Sequence, residues 1–254
     1  MREITGIIIT LNEERMIAGA IQSLRPVCDE VIVVDSLSAD KTCEIAVREG
    51  ARVIEQAYLG DGPQKAFGVP SAKNDWILSL DADERLEDDA VAQIGQLVLG
   101  DPHTAYALRR RNFVGAHWIR AAGFYPDSVT RLYNRTGAGY LQRKHHSRVE
   151  APRIRKLEAH ITHFTYEDLS HWIRRIDELS ALDAWAMKGR GVKPSLVAPT
   201  THALWALIRK LVLKGGLFQG SDGMTVAVTT AFNAYMKYAK LNELYERERG
   251  GSGQ

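Results

Sequence analysis

Apolar positions along the first hundred residues fall into two rhythms. Residues 4–10 (ITGIIIT), 30–35 (EVIVVD), 52–55 and 76–80 (WILSL) are short apolar runs of strand length, each bounded by polar residues. Between them the spacing opens to three and four. Ile17, Ile21 and Leu24 recur at helical intervals; Ser38, Asp40 and Thr42 supply turn and cap chemistry ahead of Ile45 and Ala46, and Gly50 stops that helix. Residues 64–71 read as a helix, and Val91, Ile94 and Val98 place another over 88–99, closed by Gly100. Such alternation predicts a mostly parallel sheet covered on both faces, with ligands beyond the carboxyl ends of its strands.

After about residue 105 the pattern changes. Residues 105–111, 129–134 and 161–165 predict further strands, two of them basic, and the three arginines at 109–111 must alternate faces. From Tyr166 onward the chain reads as helical. Leu169, Trp172, Ile173 and Ile176 form one stripe, residues 203–213 an apolar helix with Arg209, Lys210 and Lys214, and residues 225–244 a third. The predicted fold class is α/β. An α/β domain over 1–165 carries a helical extension over 166–249 that packs on it, and GGSGQ at 250–254 is a flexible tail.

A hydrophobic content of 45% fits a protein with a full core. The net charge of +2 conceals an asymmetry: residues 1–100 hold 9 basic against 18 acidic side chains, and residues 101–254 hold 24 against 13. The first half suits a metal or neutral sugar groups, the second an anionic partner. Without a helix-turn-helix, zinc or RNP-type motif, nucleic acid is not that partner. Cys28 and Cys43 lie far from any CxxC pattern, which argues against a zinc or disulfide framework and for a reducing, cytoplasmic setting. The first strand follows Met1 directly in place of a signal peptide, and no apolar run is long enough to cross a bilayer, so the expectation is a soluble or peripheral protein.

The chemistry concentrates at residues 76–84, WILSLDADE, where an apolar strand runs into Asp81, Asp83 and Glu84. Clustered carboxylates repel one another unless a cation or a donor lies between them. Oxygen ligands of this kind suit Mg²⁺ or Mn²⁺, which take their remaining ligands from water and substrate phosphate. Asn12 with Glu13, Asp35, and Asp81 with Asp83 each fall just past a different strand, so one crevice can collect all three groups.

These blocks resemble family 2 glycosyltransferases with a GT-A fold, most closely the bacterial enzymes that add glucose to the inner-core heptose of lipopolysaccharide. The similarity runs through IIITLNEE (7–14), VIVVDSLSADKT (31–42), ILSLDADER (77–85), GFYPDSVTRLY (123–133), KGGLFQGSDGM (214–224) and KYAKL (237–241). It implies a mixed GT-A sheet with flanking helices and a metal-dependent, inverting transfer from a UDP-sugar. The acceptor implied is a glycolipid or phosphorylated oligosaccharide, reached by a cytoplasmic enzyme that is peripheral on the inner face of the inner membrane. Residue by residue, Thr10, Leu11, Asn12 and Glu13 resemble the nucleotide edge, with Glu13 on the ribose, and Asp35 the acid on the uracil N–H. Lys65 stands near the diphosphate, Asp83 on the metal and Asp81 closer to the ribose or sugar. Relatives carry Val-His-Glu where this chain has His145-His146-Ser147, so Asp127, ahead of Glu150, becomes the expected base. Arg131, Arg143, Lys144 and Arg148 are the basic residues expected to meet the acceptor.

Other readings compete. Glu13 and Asp35 taken singly read as helix caps, His163 as a core histidine, and Trp172, Trp185 and Trp205 as core or interface. The cationic helix over 203–213 suits either docking on the sheet or an anionic membrane surface. A sugar-phosphate nucleotidylyltransferase would place glycines in the loop after the first strand, and Thr10-Leu11-Asn12-Glu13-Glu14 has none. A non-catalytic nucleotide-sugar-binding protein is the alternative that Ser147 raises.

Overall fold

The computed structural model describes residues 3–141 and 147–251. Its elements run β1 (Ile4–Thr10), α1 (Ile17–Leu24), β2 (Glu30–Asp35), α2 (Thr42–Arg48), β3 (Arg52–Glu55) and α3 (Asp61–Phe67), then a 3-10 turn and β4 (Trp76–Asp81). A two-residue turn leads to β5 (Glu84–Leu86), followed by α4 (Asp88–Gln96), β6 (Thr104–Val114), β7 (His117–Trp118), β8 (Asp127–Asn134), β9 (Gly139–Tyr140), β10 (Val149–Glu150) and β11 (Arg153–Tyr166). Three helices follow: α5 (Leu169–Gly189), α6 (Ala198–Ile208), extended by a π-helical turn at Arg209–Leu213, and α7 (Gly220–Gly251).

Two compact units emerge. One comprises Met1–Arg111 with Pro126–Phe164, the other Asn112–Tyr125 with Thr165–Gln254. The chain passes from the first unit to the second for the last time between Phe164 and Thr165. The segment from Asn112 to Tyr125 groups with the helices, because Ile119, Ala121 and Ala122 form one apolar cluster with Trp172, Ile176 and Val226. The first two residues of the tail expected at 250–254 belong to α7, and its last three lie outside the described residues.

In the first unit the strand order is β3-β2-β1-β4-β8-β6-β11-β5, parallel from β3 to β4, with β4–β8, β8–β6 and β11–β5 antiparallel. This is the mixed sheet with flanking helices expected from the sequence. Alternation decides its two faces. Ile8, Val31 and Val33 bury against α1 and α4, while Ile7, Ile32, Val34 and Ile77 bury against α3, Tyr133 and Tyr140. Gly6 lets α1 come close, since a Cβ there would lie 2.9 Å from Leu24 Cδ1.

Several element boundaries differ from expectation for local reasons. The helix read over 64–71 starts at Asp61 and breaks at Gly68, giving way to a 3-10 turn that holds Pro70. β11 runs fourteen residues, far beyond the five expected; its first four residues, Arg153 to Lys156, are all exposed, so they carry no apolar alternation to mark a strand. Among the described residues no helix is long and apolar enough to cross a membrane.

Candidate functional site

β1 and β2 end side by side, Thr10 pairing with Asp35 in parallel register, and the loops that follow are laced together. The Asn12 N–H donates to Ser38 Oγ at 2.8 Å and the Ala39 N–H returns a bond to Asn12 Oδ1 at 2.8 Å. The Glu13 N–H donates to Thr42 Oγ1 at 2.8 Å, the Glu14 N–H to Asp40 Oδ2 at 3.1 Å, and the Lys41 N–H to Glu14 Oε2 at 3.2 Å. Asn12 takes a positive φ of 55°, a conformation that asparagine tolerates better than most residues. Leu11 is left exposed and Thr10 Oγ1 is buried with no hydrogen-bond partner among the described residues.

Asp35 anchors this lacing from below. It is 1% exposed and accepts the Ser38 N–H at 2.7 Å and the Ser38 hydroxyl at 2.5 Å. Burial, the bond it makes to Asp35 and that carboxylate's charge push the Cys43 thiol up to about 11, so Cys43 is no nucleophile at neutral pH. The expected base-edge acid is thus also the fastener of its own loop.

β4 delivers Asp81 into a set of paired charges. Lys65 Nζ, on α3, lies 3.0 Å from Asp81 Oδ1 and 2.9 Å from Asp61 Oδ1. Arg131 Nη2, on β8, bonds Asp81 Oδ2 at 2.8 Å and Glu84 Oε1 at 2.5 Å, and Arg131 Nη1 reaches the Tyr140 hydroxyl at 3.3 Å. Glu84, fully buried, also accepts the Asp81 N–H at 3.1 Å and stands 3.5 Å from Arg110 Nη1. Arg110 in turn grips Asp127 Oδ2 through Nε at 2.9 Å and Nη2 at 2.7 Å. Ionic contacts therefore run without interruption from Asp61 to Asp127. Burial would raise the Asp81 pKa, but Lys65 and Arg131 outweigh it and hold the carboxyl far below the ordinary range. The Lys65 and Arg131 pKa values rise, their carboxylate partners overcoming the burial that opposes charge.

Asp83 sits apart from this set, on the turn between β4 and β5. Arg85 staples that turn through bonds to the Ala82 carbonyl at 2.9 Å and the Glu84 carbonyl at 2.7 Å. β11 pairs with β5 so that His163 stands opposite Glu84, and His163 Nε2 comes within 3.3 Å of Asp83 Oδ2. Burial disfavours the imidazolium, yet the bond to Asp83 with the charges of Asp83 and Glu84 raises the His163 pKa. The part-exposed Asp83 offers the carboxylate oxygen that Mg²⁺ and Mn²⁺ take, and His163 adds an imidazole nitrogen that suits a transition ion such as Mn²⁺ better than Mg²⁺. Glu87, Asp89 and His160 form another cluster of ligand-type atoms, although Arg111 and Thr162 already bond Glu87 while His160 bonds Asp89.

The other expected site residues fall in varied surroundings. Arg131, expected on an anion-facing patch, is 4% exposed, because two carboxylates hold its guanidinium inside. Lys65, expected at the diphosphate, is likewise enclosed by Asp61 and Asp81. Arg148 and Glu150 are exposed, 3.9 Å apart at closest approach. Arg143 and Lys144, with His145 and His146, lie outside the described residues. Ser147 donates its N–H to Asp61 Oδ2 at 2.9 Å and its hydroxyl to the Leu141 carbonyl at 2.6 Å. Glu84, Arg110, Asp61 and His163 were not singled out from the sequence as site residues. Glu84 alone carried a signal, as a third acid entering a strand.

The glycosyl transferase family 2 model matches residues 5–164. An uncharacterized glycosyltransferase of Rickettsia bellii is 31% identical over 96% of this chain and 87% of its own length. The lipopolysaccharide core biosynthesis glycosyltransferase LpsC of Rhizobium meliloti is 26% identical over 94% of this chain and 91% of its own. Among solved structures, glucosyl-3-phosphoglycerate synthase of Mycobacterium tuberculosis, in complex with Mn²⁺, UDP and glucosyl-3-phosphoglycerate, is 26% identical over 44% of both chains with a TM-score of 0.35. So partial a superposition does not bear on the ligands of this chain.

Proposed function

The chain belongs to glycosyl transferase family 2, and on that premise we propose that it moves a hexose, glucose by resemblance, from a UDP-sugar to a bacterial envelope glycolipid such as lipopolysaccharide core, with inversion at the anomeric carbon. The observation that carries this reading is the meeting of Asp83 and His163, from different strands, at 3.3 Å beside a set of carboxylates already matched with cations. The likeness to LpsC supports the acceptor class.

Asp83 and His163 would hold the divalent cation, which supplies Lewis-acid stabilisation of the diphosphate leaving group. The remaining roles belong to the chain itself. Lys65 and Arg131 keep Asp81 ionised and fixed beneath the sugar side of the site, while the laced loops at Leu11, Asn12 and Glu13, anchored on Asp35, receive the nucleoside. Asp127, aimed by the two bonds from Arg110, takes the proton of the acceptor hydroxyl. General-base assistance of this kind contributes about 10²- to 10⁴-fold. Direct displacement of UDP from an α-sugar then yields a β-linkage.

A thermal-shift panel of UDP-, GDP- and ADP-sugars with and without Mn²⁺ tests the reading, since ligand that binds the folded state raises its melting temperature. The UDP-sugar should raise it only with Mn²⁺, and Asp83→Ala and His163→Ala should abolish that dependence while remaining folded. An equal shift without Mn²⁺, or in Asp83→Ala, would remove the metal role.

A further inference from the structure

The helical unit carries an apolar surface that donor chemistry does not use. Residues 184–221 contain six basic side chains and no Asp or Glu. Within that span Leu204, Trp205, Ile208 and Val212 recur at helical spacing along α6 and its π-helical turn, and each is exposed. A hook follows. Gly215 turns the chain at φ 67°, a 3-10 turn covers Gly216–Phe218, and Gly220 turns it again at φ 62° into α7. Gly216 is wedged in place, since a Cβ on it would lie 2.7 Å from the Lys210 carbonyl, and one on Gly223 would lie 1.9 Å from the Gly216 carbonyl. This packing thrusts Leu217 outward at 58% exposure and Phe218 at 91%. Exposed apolar groups so contiguous mark an interaction site.

Charge identifies the occupant. Lys210 donates to the Ala122 carbonyl at 2.8 Å, and neither it nor Arg209 nor Lys214 pairs with a carboxylate among the described residues. Burial first, then the Arg209 and Lys214 charges, lower the Lys210 pKa, as expected where like charges crowd without a counterion. A second copy of this face would bring the same cations and no acids to meet them. A phosphorylated sugar would satisfy the cations and leave Leu217 and Phe218 in water.

We infer that this face docks on an anionic lipid bilayer, with Trp205, Leu217 and Phe218 entering the boundary between headgroups and acyl chains and Arg209 and Lys214 meeting lipid phosphates. Apolar burial combined with attraction to anionic headgroups is what holds interfacial helices. The segment KGGLFQGSDGM (214–224) thereby gains a role, its glycines building the hook and its Leu-Phe pair tipping it.

Co-sedimentation of the full chain with vesicles of phosphatidylcholine alone, and of equimolar phosphatidylcholine and phosphatidylglycerol, tests this. The parent should bind only the anionic vesicles, and less as salt rises. Phe218→Asp, and separately Arg209→Ala with Lys214→Ala, should each weaken binding by about tenfold or more. The thermal shift given by UDP-sugar should stay as in the parent. Equal binding to both vesicles, or full binding by both variants, overturns the inference. So does self-association of the parent in sedimentation velocity that Phe218→Asp abolishes while no vesicle is bound, which would make a second copy the occupant.

Discussion

Arg131 shows how much one buried cation can be asked to do. It sits between Asp81 and Glu84 with its guanidinium out of water, so removing it leaves Asp81 to Lys65 alone and the fully buried Glu84 to the longer 3.5 Å contact with Arg110. Breaking a buried pair typically costs about 3 to 5 kcal/mol. Arg131→Met should lower urea stability by that order, and adding Glu84→Gln should recover part of the loss if the penalty is the orphaned charge. Asp127 poses the opposite question, because its carboxylate is held by Arg110 at the surface end of the same ionic path. Asp127→Asn should leave UDP-sugar affinity near the parent value and slow transfer by about 10²-fold or more. If transfer is unchanged and Glu150→Gln stops it, the base is Glu150.

At the scale of elements, α3 illustrates what sequence spacing conveys and what it misses. Its first turn passes so close to the loop around Leu141 and Ser147 that a Cβ on Gly62 would lie 2.0 Å from the Leu141 carbonyl. Gly62→Ala must therefore push α3 away, loosening Lys65 from Asp81; we expect a lower melting temperature and weaker donor binding together, where a purely local strain would give only the first. The strands of the parallel half, and the acids at their ends, were legible because apolar runs and polar stops are local signals. Asp81, Asp83 and Asp35 were found that way. Which side chains would be matched with which was not legible: His163 reads as a core residue until β11 is paired with β5, and Arg131 reads as surface until β8 is placed beside β4. Long-range register decides both, and periodicity carries no long-range register.

For the whole molecule, the acids that hold elements together set the response to pH. Asp81 lies between Lys65 and Arg131. Glu30 is bonded by the Lys73 N–H, Thr5 and Arg52, and Asp89 by His160; in each case these partners outweigh burial and hold the carboxyl below its ordinary range. A carboxyl whose pKa is depressed by folding adds stability above its unfolded value, near 4, and surrenders it as pH falls toward the folded value. Stability to denaturant should accordingly be level from neutrality down to about pH 5 and drop below about pH 4. A midpoint that does not change between pH 6 and pH 3 would contradict these assignments. The charge asymmetry between the halves of the chain, legible from composition, gains an address in the acid-free span of residues 184–221.

The lacing of the two loops beyond β1 and β2 has a kinetic consequence. Five backbone amides, those of Asn12, Glu13, Glu14, Ala39 and Lys41, are each covered by a side chain from the opposite loop. Neither loop can release its amides while the other stays in place. Deuterium uptake at all five should follow one opening rate, distinct from that of the strands beneath, and occupation by a UDP-sugar should slow the five by a common factor. Thr42→Val, which removes a single acceptor, should then quicken exchange in residues 11–14 and in residues 38–41 alike, so that the rim of the site breathes as one body.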